Sequence, residues 1–384
     1  MLCLMRRTWI LSAMTAALWA CGGGSNASTT GTSSSGAGGT SSSTGSESTS
    51  ASTGSGGVSA IPCNGAPADP ALEGTWIASG KLAIGLKGAP GGAINICPAD
   101  QIGEASLVIL LNVKADPADA AKLAEVHATF CSLKLPTVSA IVGNCDPKSQ
   151  SLINTQIIAP DAFLAALPSI VAPPITGAVT GKGSGATVQL DRLNLEIGAT
   201  KGGASLPTWN EQQSSGCTGP AFGHTNVCEM ACIADCNAVR DDDADTYPAV
   251  TLEICGLSTS DTKGNVACHA KTPDDPGVTL QGRAYMDFQV DPQLKGTVES
   301  SCEVKGNIDT GIHYGVLGSD LRIAGSQLSV SQTVKSLPTF SIDATKSPFR
   351  MVRIDGKYGA PSWGVDLADA KAACATALKR VNEL

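Results

Sequence analysis

The sequence predicts a mainly β, disulfide-rich domain of the antiparallel sandwich or barrel-like type. Charged residues make up only 16% of the 384 residues and aromatic residues 4%, and there are 43 glycines. This balance is typical of a β-rich exported domain with many turns and disfavours a helical enzyme. Alternating apolar runs and an even set of cysteines, described below, support the same fold class.

Three runs alternate apolar and polar residues with the period of a strand that has one face buried. The first run ends at Asp116-Pro117, and the second ends at Cys131. The apolar positions are Leu107, Ile109, Leu111 and Val113 in the first run, Val126, Ala128 and Phe130 in the second, and Ala284, Met286, Phe288 and Val290 in the third. In the third run these positions alternate with Tyr285, Asp287 and Gln289, which we expect on the other face.

The N-terminus combines basic Arg6 and Arg7, an apolar stretch over residues 8–17, and Leu18-Trp19-Ala20-Cys21. This pattern resembles the lipobox of bacterial lipoproteins. The resemblance implies that residues 1–20 are a signal peptide cleaved before Cys21, which then carries a diacylglycerol and an acyl group on its new amine. A membrane-spanning helix is the weaker reading because it needs about 20 apolar residues. A soluble secretion signal would need a small residue where Leu18 stands.

Lipidation predicts a protein held in the cell envelope by its acyl chains. Two or three chains anchor a protein stably, whereas one holds only marginally. Gly22 stands where an Asp would favour inner-membrane retention in this family, so the outer membrane is the expected location. The formal net charge is −8, and it becomes about −10 once Arg6 and Arg7 are removed. The expected partners are therefore the membrane and an unidentified ligand or envelope component, but not nucleic acid.

The folded region follows a tether. Residues 21–60 consist of the acylated cysteine and a Ser/Thr/Gly-rich stretch that cannot bury a core, and we predict a disordered linker. As a flexible coil this linker has a root-mean-square span of roughly 35 Å. We then expect a first β-unit at 61–210, a Cys-rich insert with an acidic loop at 211–270, and a second β-unit with a C-terminal helix at 271–384.

The two β-units share a short echo. Ser205-Leu206-Pro207-Thr208-Trp209 is repeated as Ser336-Leu337-Pro338-Thr339-Phe340, and a phase slip in the apolar alternation precedes each copy. A bulge or a break must absorb each slip, because a shift of one residue moves the apolar set to the wrong face. The echo indicates either a duplicated β-unit or two sheets built by the same rules.

Twelve cysteines remain after Cys3 leaves with the signal peptide and Cys21 takes the lipid. An even number in an exported chain predicts a framework of up to six disulfides. These residues are Cys63, Cys97, Cys131, Cys145, Cys217, Cys228, Cys232, Cys236, Cys255, Cys268, Cys302 and Cys374. Buried free thiols and a zinc cluster that includes His224 or His269 are the weaker alternatives.

Helices are expected in three places. Cys228, Cys232 and Cys236 are spaced by four and share one face of a short helix, from which we expect them to pair with Cys217, Cys255 and Cys268. A short apolar helix is predicted at 161–167, between Pro160 and Pro168. The C-terminal helix begins near Asp366 and buries Leu367, Ala370, Cys374, Leu378 and Val381, with Cys374 bridged to the β body.

Two motifs suggest ligands. Asp241, Asp243 and Asp245 resemble a DxDxDG calcium loop, in which a tight turn brings three carboxylates around a hard cation. Thr246 replaces the turn glycine, and Leu252 stands where the loop's bidentate acid would be. The alternative is a solvated acidic turn. Separately, Gly74-Thr75-Trp76 resembles the G-x-W motif of lipocalins, which are barrels that bind apolar ligands, although a core tryptophan near an early strand is the more common role.

The sequence therefore predicts a membrane-anchored surface lipoprotein with a structural or binding role and no catalytic activity. A module for an apolar or lipid ligand requires an apolar cavity between the β-units. A calcium-dependent surface adhesion protein requires an occupied acidic loop. A secreted hydrolase requires a nucleophile beside a base such as His127 or His313, and no H-E-x-x-H or G-x-S-x-G motif is present.

Overall fold

The computed structural model describes residues 63–64, 69–88, 94–96, 100–142, 152–210, 233–258, 278–323, 325–336 and 338–383. The predicted signal peptide, Cys21 and the tether lie outside these ranges, as do Cys97, Cys145, Cys217, Cys228, Cys232 and Cys268. None of the helices within these ranges is long and apolar enough to cross a membrane.

Strands dominate the described residues. In chain order they are β1 (Gly74–Lys87), β2 (Ile94–Ile96), β3 (Asp100–Asp116), β4 (Asp119–Lys134), β5 (Thr137–Val142), β6 (Leu152–Ile158), β7 (Ile175–Thr180), β8 (Thr187–Leu190), β9 (Leu195–Ile197), β10 (Thr208–Trp209), β11 (Ile233–Ala234), β12 (Val250–Ser258), β13 (Val278–Val290), β14 (Gln293–Ser300), β15 (Glu303–Asp309), β16 (Ile312–Ile323), β17 (Ser326–Gln327), β18 (Thr339–Ile342) and β19 (Pro348–Arg353). The α-helices in these ranges are α1 (Asp161–Ala166), α2 (Val330–Ser336) and α3 (Ala370–Arg380).

Eight strands form a closed antiparallel barrel in the order β1-β3-β4-β7-β8-β14-β15-β19, and β19 returns to pair with β1. The order around the barrel is the order along the chain. Both predicted β-units contribute, because β8 pairs with β14 across the intervening insert. The expected mainly β, barrel-like fold is confirmed. Closure removes the open sheet edges along which another chain could pair.

The connections at the two ends of the barrel differ in length. At one end, three tight connections join β3 to β4, β7 to β8, and β14 to β15. At the other end, the long connections carry the remaining sheet strands. Eight of these strands form a second antiparallel sheet in the order β17-β16-β13-β12-β6-β5-β2, with β9 paired to β13. We call the end with the long connections the covered end and the other the closed end.

The alternating runs behave as predicted inside the barrel. Leu107 to Val113 on β3 and Val126 to Phe130 on β4 place their apolar set in the core, where Ile109 and Leu111 are fully buried. The phase slip after Leu190 is absorbed by a break, because β8 belongs to the barrel and β9 to the second sheet.

β13 differs from the prediction because both of its faces are buried. Ala284 and Met286 face the main core, as expected. Tyr285 is also buried, in a second cluster made with Trp209, Leu317 and Val330. A thin outer layer that includes β10, β11 and α2 therefore covers the outer face of this sheet. Sequence alternation alone did not reveal that layer.

The two echoing segments occupy different places. Thr208-Trp209 forms β10, which pairs with β11 in a small two-stranded sheet. Thr339–Ile342 forms β18, which pairs with β1 beside the barrel. The second phase slip falls after β16, where the chain turns through β17 into α2.

The predicted helices exist, with different limits. α1 lies at Asp161–Ala166 and continues as a 3-10 turn. α3 begins only at Ala370, because the Asp369 side chain caps it by accepting a hydrogen bond from the Ala372 N–H. Its buried residues are Ala373, Cys374 and Ala377, whereas Leu378 is 38% exposed, so the predicted burial of Leu378 is wrong.

The Cys-rich insert is described only in part. Ile233-Ala234 are extended as β11, and Cys236–Ala238 form a single 3-10 turn, so no longer helix runs into Cys236. The predicted helix that carries Cys232 and Cys236 on one face is therefore wrong, because the extended residues Ile233 and Ala234 lie between them and only a 3-10 turn follows. Residues 211–232 lie outside the described ranges. Cys236 and Cys255 are both disulfide-bonded. Their predicted pairing within the insert stays a prediction.

Two disulfides join distant parts of the chain. Cys131 on β4 is bonded to Cys374 on α3, which confirms the predicted bridge from the C-terminal helix to the β body. Around this bond, α3 packs on the outside of the barrel against Ile77, Leu110 and Val352. Cys63 is bonded to Cys302 at the closed end of the barrel, between β14 and β15.

Removal of the Cys131–Cys374 bond should loosen α3. In the double variant Cys131→Ala, Cys374→Ala, we expect the free energy of unfolding to fall by about 2–5 kcal/mol, because the bond closes a loop of 243 residues in the unfolded chain. Urea unfolding followed by circular dichroism measures this. Lys371→Ala, at an exposed position of the same helix, should stay within about 0.5 kcal/mol of the wild type. A double variant as stable as the wild type would contradict the prediction.

Candidate functional site

The first candidate site is an apolar cavity between the covered end of the barrel and the second sheet, with a volume of about 120 Å³. Its wall comes from both predicted β-units, including α1 of the first, and from β12, which lies in the predicted Cys-rich insert. The lining residues are Leu82, Ile84, Ala105, Leu107, Phe130, Leu133, Leu135, Pro136, Ile157, Phe163, Leu167, Leu195, Ile197, Leu252, Ile254, Met286, Phe288, Val290, Pro292, Thr310, Ile312, Pro338 and Phe340.

Almost every side chain in this wall is a hydrocarbon or thioether. The exception is Thr310, and its hydroxyl donates to the Gly311 carbonyl at 3.0 Å. No polar atom of these lining residues is exposed to the cavity. A charged or strongly polar group that entered it would lose its hydration without compensation.

The opposite, closed end of the barrel is sealed by Arg353. This side chain is fully buried, and its guanidinium lies 4.6 Å from the centre of the Trp76 ring and 5.2 Å from that of Tyr358. It donates hydrogen bonds to the carbonyls of Ser301 and Glu73, each at 2.7 Å, and to the Ala71 carbonyl. The Gly74-Thr75-Trp76 motif thus lies in the plug at the closed end and not in the cavity wall.

The second candidate site is the acidic loop before β12. Asp241, Asp243 and Asp245 each bring a carboxylate oxygen within 4.8 Å of the others, so the structure brings the three predicted metal ligands together. Asp242 points elsewhere. It accepts a hydrogen bond from the Gly198 N–H and pairs with Arg240 at 2.9 Å.

Burial changes the titration of one carboxylate in this loop. The pKa of Asp243 is raised to about 7. Desolvation is the largest cause, a hydrogen bond from the Thr251 N–H opposes it, and the charges of Asp245 and Asp241 and the contact with the Asp241 carboxyl add to the rise. At the predicted glycine position, Thr246 adopts a φ of +74°. The loop therefore makes the sharp turn without a glycine. At the position of the expected bidentate acid, Leu252 lines the apolar cavity instead.

The two candidate catalytic histidines lie apart. His127 is exposed on the barrel, with Nε2 2.6 Å from Glu125 Oε1, and His313 is exposed on β16. Neither imidazole contacts a hydroxyl or thiol among the described residues. His224 and His269 lie outside the described ranges.

Asp287 is a buried acid that the sequence did not single out. It lies on the outer face of β13 and is 0% exposed, and neither of its carboxylate oxygens accepts a well-aligned hydrogen bond among the described residues. Burial raises the pKa of Asp287 to about 7, and the backbone N–H groups of Gly315 and of Asp287 itself partly offset the rise. Alternation placed Asp287 on the face opposite the core. Only the outer layer, which has no local signature, buries it.

In comparisons with known proteins, the chain matches no family model and no curated protein.

Asp287 should make stability depend on pH. Its folded-state pKa of about 7 lies above the ordinary value of 3.8. Between about pH 4 and pH 7 the folded protein therefore keeps a proton that the unfolded chain has released. The free energy of unfolding falls as the pH rises through this window, by up to about 1.4 kcal/mol per pH unit, and this contribution is constant above it.

Asp287→Asn removes this contribution, since the amide never ionises. We expect the variant to match the wild type near pH 4 and to be more stable near pH 8, as measured by urea unfolding at each pH. Glu104→Gln, which neutralises an exposed carboxylate on β3, should leave the pH profile unchanged. Parallel profiles for Asp287→Asn and the wild type would show that Asp287 does not titrate as described.

Proposed function

We propose that the protein is a lipid-anchored, exported binding protein that holds an apolar ligand in the cavity between the barrel and the second sheet. The apolar lining of that cavity is the observation that carries the proposal. Protein interiors are normally close-packed, with few voids larger than a water molecule. Apolar cavities of this kind stay dry and bind small apolar molecules.

Size and chemistry limit the ligand. An engineered cavity of about 150 Å³ accepts benzene, so a cavity of about 120 Å³ suits a small ring or a short alkyl segment. Each Å² of apolar surface removed from water contributes about 25 cal/mol. Any polar group of the ligand must stay outside the cavity, because no polar atom of the lining residues faces it.

Export and anchoring rest on the N-terminal sequence and on the cysteines. The lipobox-like residues ending at Cys21 support lipidation, and the bonds Cys63–Cys302 and Cys131–Cys374 fit an oxidising compartment.

A matched pair of ligands tests the cavity. In thermal unfolding of the intact protein, toluene should raise the melting temperature because it fills the void. Phenol, which is similar in size, should not, because its hydroxyl finds no partner in the wall. Equal effects of the two compounds would contradict binding in this cavity.

A matched pair of variants locates the binding. Ala105 lines the cavity, so Ala105→Leu should fill it, cost little stability and abolish the toluene effect. Ala128 is buried in the same core without lining the cavity, so Ala128→Leu should cost about 1–3 kcal/mol by overpacking and keep the toluene effect. A toluene effect that survives in Ala105→Leu would place the ligand elsewhere.

The anchor has a separate test. Cys21→Ser should prevent acylation and release the protein from the membrane fraction, because no sulfur is left to carry the diacylglycerol. Mass spectrometry of the wild-type protein from its native host should show an acylated N-terminus at residue 21. The folded domain of the variant should still bind toluene, so the two tests are independent. An unmodified N-terminus in the wild type would overturn the anchoring proposal.

A further inference from the structure

The acidic loop before β12 presents three carboxylates that are each fixed by one backbone hydrogen bond. Asp241 Oδ2 accepts from the Thr246 N–H at 3.2 Å, and Asp245 Oδ1 accepts from the Tyr247 N–H at 2.8 Å. Asp243 Oδ2 accepts from the Thr251 N–H at 2.9 Å. One oxygen of each side chain is thereby held in place, and the other oxygen is left for a different partner.

Two of the remaining oxygens are buried without a partner. The Asp243 side chain belongs to a residue that is only 6% exposed, and its Oδ1 has no hydrogen-bond donor among the described residues. Asp241 Oδ1 is also buried and has no hydrogen-bond donor among the described residues. Buried polar atoms almost always find a partner. Two orphaned carboxylate oxygens in a cluster only 4.8 Å across point to a ligand that accepts their electron pairs.

Among the described residues, no cationic side chain forms a salt bridge with Asp241, Asp243 or Asp245. The nearby cation, Arg240, is engaged with Asp242 at 2.9 Å and with the Glu196 carbonyl at 2.8 Å. Consecutive residues of the loop therefore have different roles. Asp242 faces Arg240, whereas Asp241 and Asp243 on either side of it face each other. The cluster concentrates negative charge that an external cation would offset.

We propose that Asp241, Asp243 and Asp245 bind one divalent cation, with Ca²⁺ as the preferred ion. The donor atoms are all carboxylate oxygens, which suit a hard cation, and the described cluster contains no imidazole or thiolate that would favour zinc. Ca²⁺ tolerates irregular geometry and completes its shell with carbonyls and waters, whereas Mg²⁺ demands a near-ideal octahedron.

The expected affinity is modest. The acid that would bind the ion through both oxygens is missing, because Leu252 faces the apolar cavity. Extracellular modules bind Ca²⁺ with Kd values of about 10⁻⁴–10⁻³ M, and the same range is expected here. The ion would hold the loop to the first residues of β12, through Asp243 and the Thr251 N–H, and to the second sheet, through the stacking of Tyr247 on Tyr285 with ring centres 4.8 Å apart.

Thermal unfolding of the intact, chelator-treated protein tests the site with CaCl₂ and MgCl₂ as probes. At a Ca²⁺ concentration about 100 times Kd, the melting temperature should rise by about 5 °C, and Mg²⁺ at the same concentration should have a smaller effect. Calorimetric titration of the same protein should give a stoichiometry of one.

Isosteric variants assign the ligands. Asp243→Asn should abolish the Ca²⁺ shift and raise the melting temperature of the ion-free protein, since it relieves the repulsion; a misfolded variant would not show this gain. Asp245→Asn, at a half-exposed position, should weaken Kd by at least about tenfold. Asp242→Asn loses the same charge from the same loop and should keep the Ca²⁺ shift. No Ca²⁺ shift in the wild type, or an equal shift in Asp243→Asn, would overturn the proposal.

Discussion

The architecture depends on the junction between the first and the last barrel strands. β1 and β19 are separated by most of the chain, yet Trp76 pairs with Arg353 in the ladder that closes the barrel. The buried guanidinium of Arg353 is neutralised by Asp355 at 3.0 Å and stacks on the Trp76 ring. The backbone carbonyls of Ser301, Glu73 and Ala71 accept three further hydrogen bonds from it, and these contacts compensate for the loss of hydration of the buried charge. Arg353 and Trp76 thus fill the closed end of the barrel, and the second sheet is formed by the long connections at the covered end.

The sequence predicted what is local. Alternation located β3, β4 and β13, and helical spacing located α3, because each of these signals lies within one element. The buried face of α3 differs from the predicted one because the helix begins later than expected. Asp369 caps the helix and sets its first turn, and helical spacing alone does not locate that cap. Barrel closure and the covering of β13 could not be read in this way. Both depend on partners far away in sequence, and no short pattern encodes such pairings.

The two candidate sites also differ in whether a local sequence pattern can predict them. Asp241, Asp243 and Asp245 were predicted together because a tight turn is enough to bring them together. The cavity has no such signature, since Leu82, Leu252 and Phe288 come from three distant strands. The position of Asp287 was predictable only in part. Its strand was predicted, but the layer that desolvates it contains Trp209 and Val330, which no pattern connects to β13.

A void in a protein core normally tends to collapse, because the side chains that line it lose van der Waals contacts that inward movement would restore. Here the walls are fixed from outside. The β13 strand is hydrogen-bonded to β12 on one side and to β16 on the other, and the cluster around Tyr285 packs on its outer face. On the barrel side, Leu82 and Leu107 belong to strands joined along their full length. Inward movement would therefore break ladders and the outer layer together, and this cost keeps an apolar space open at the covered end of the barrel.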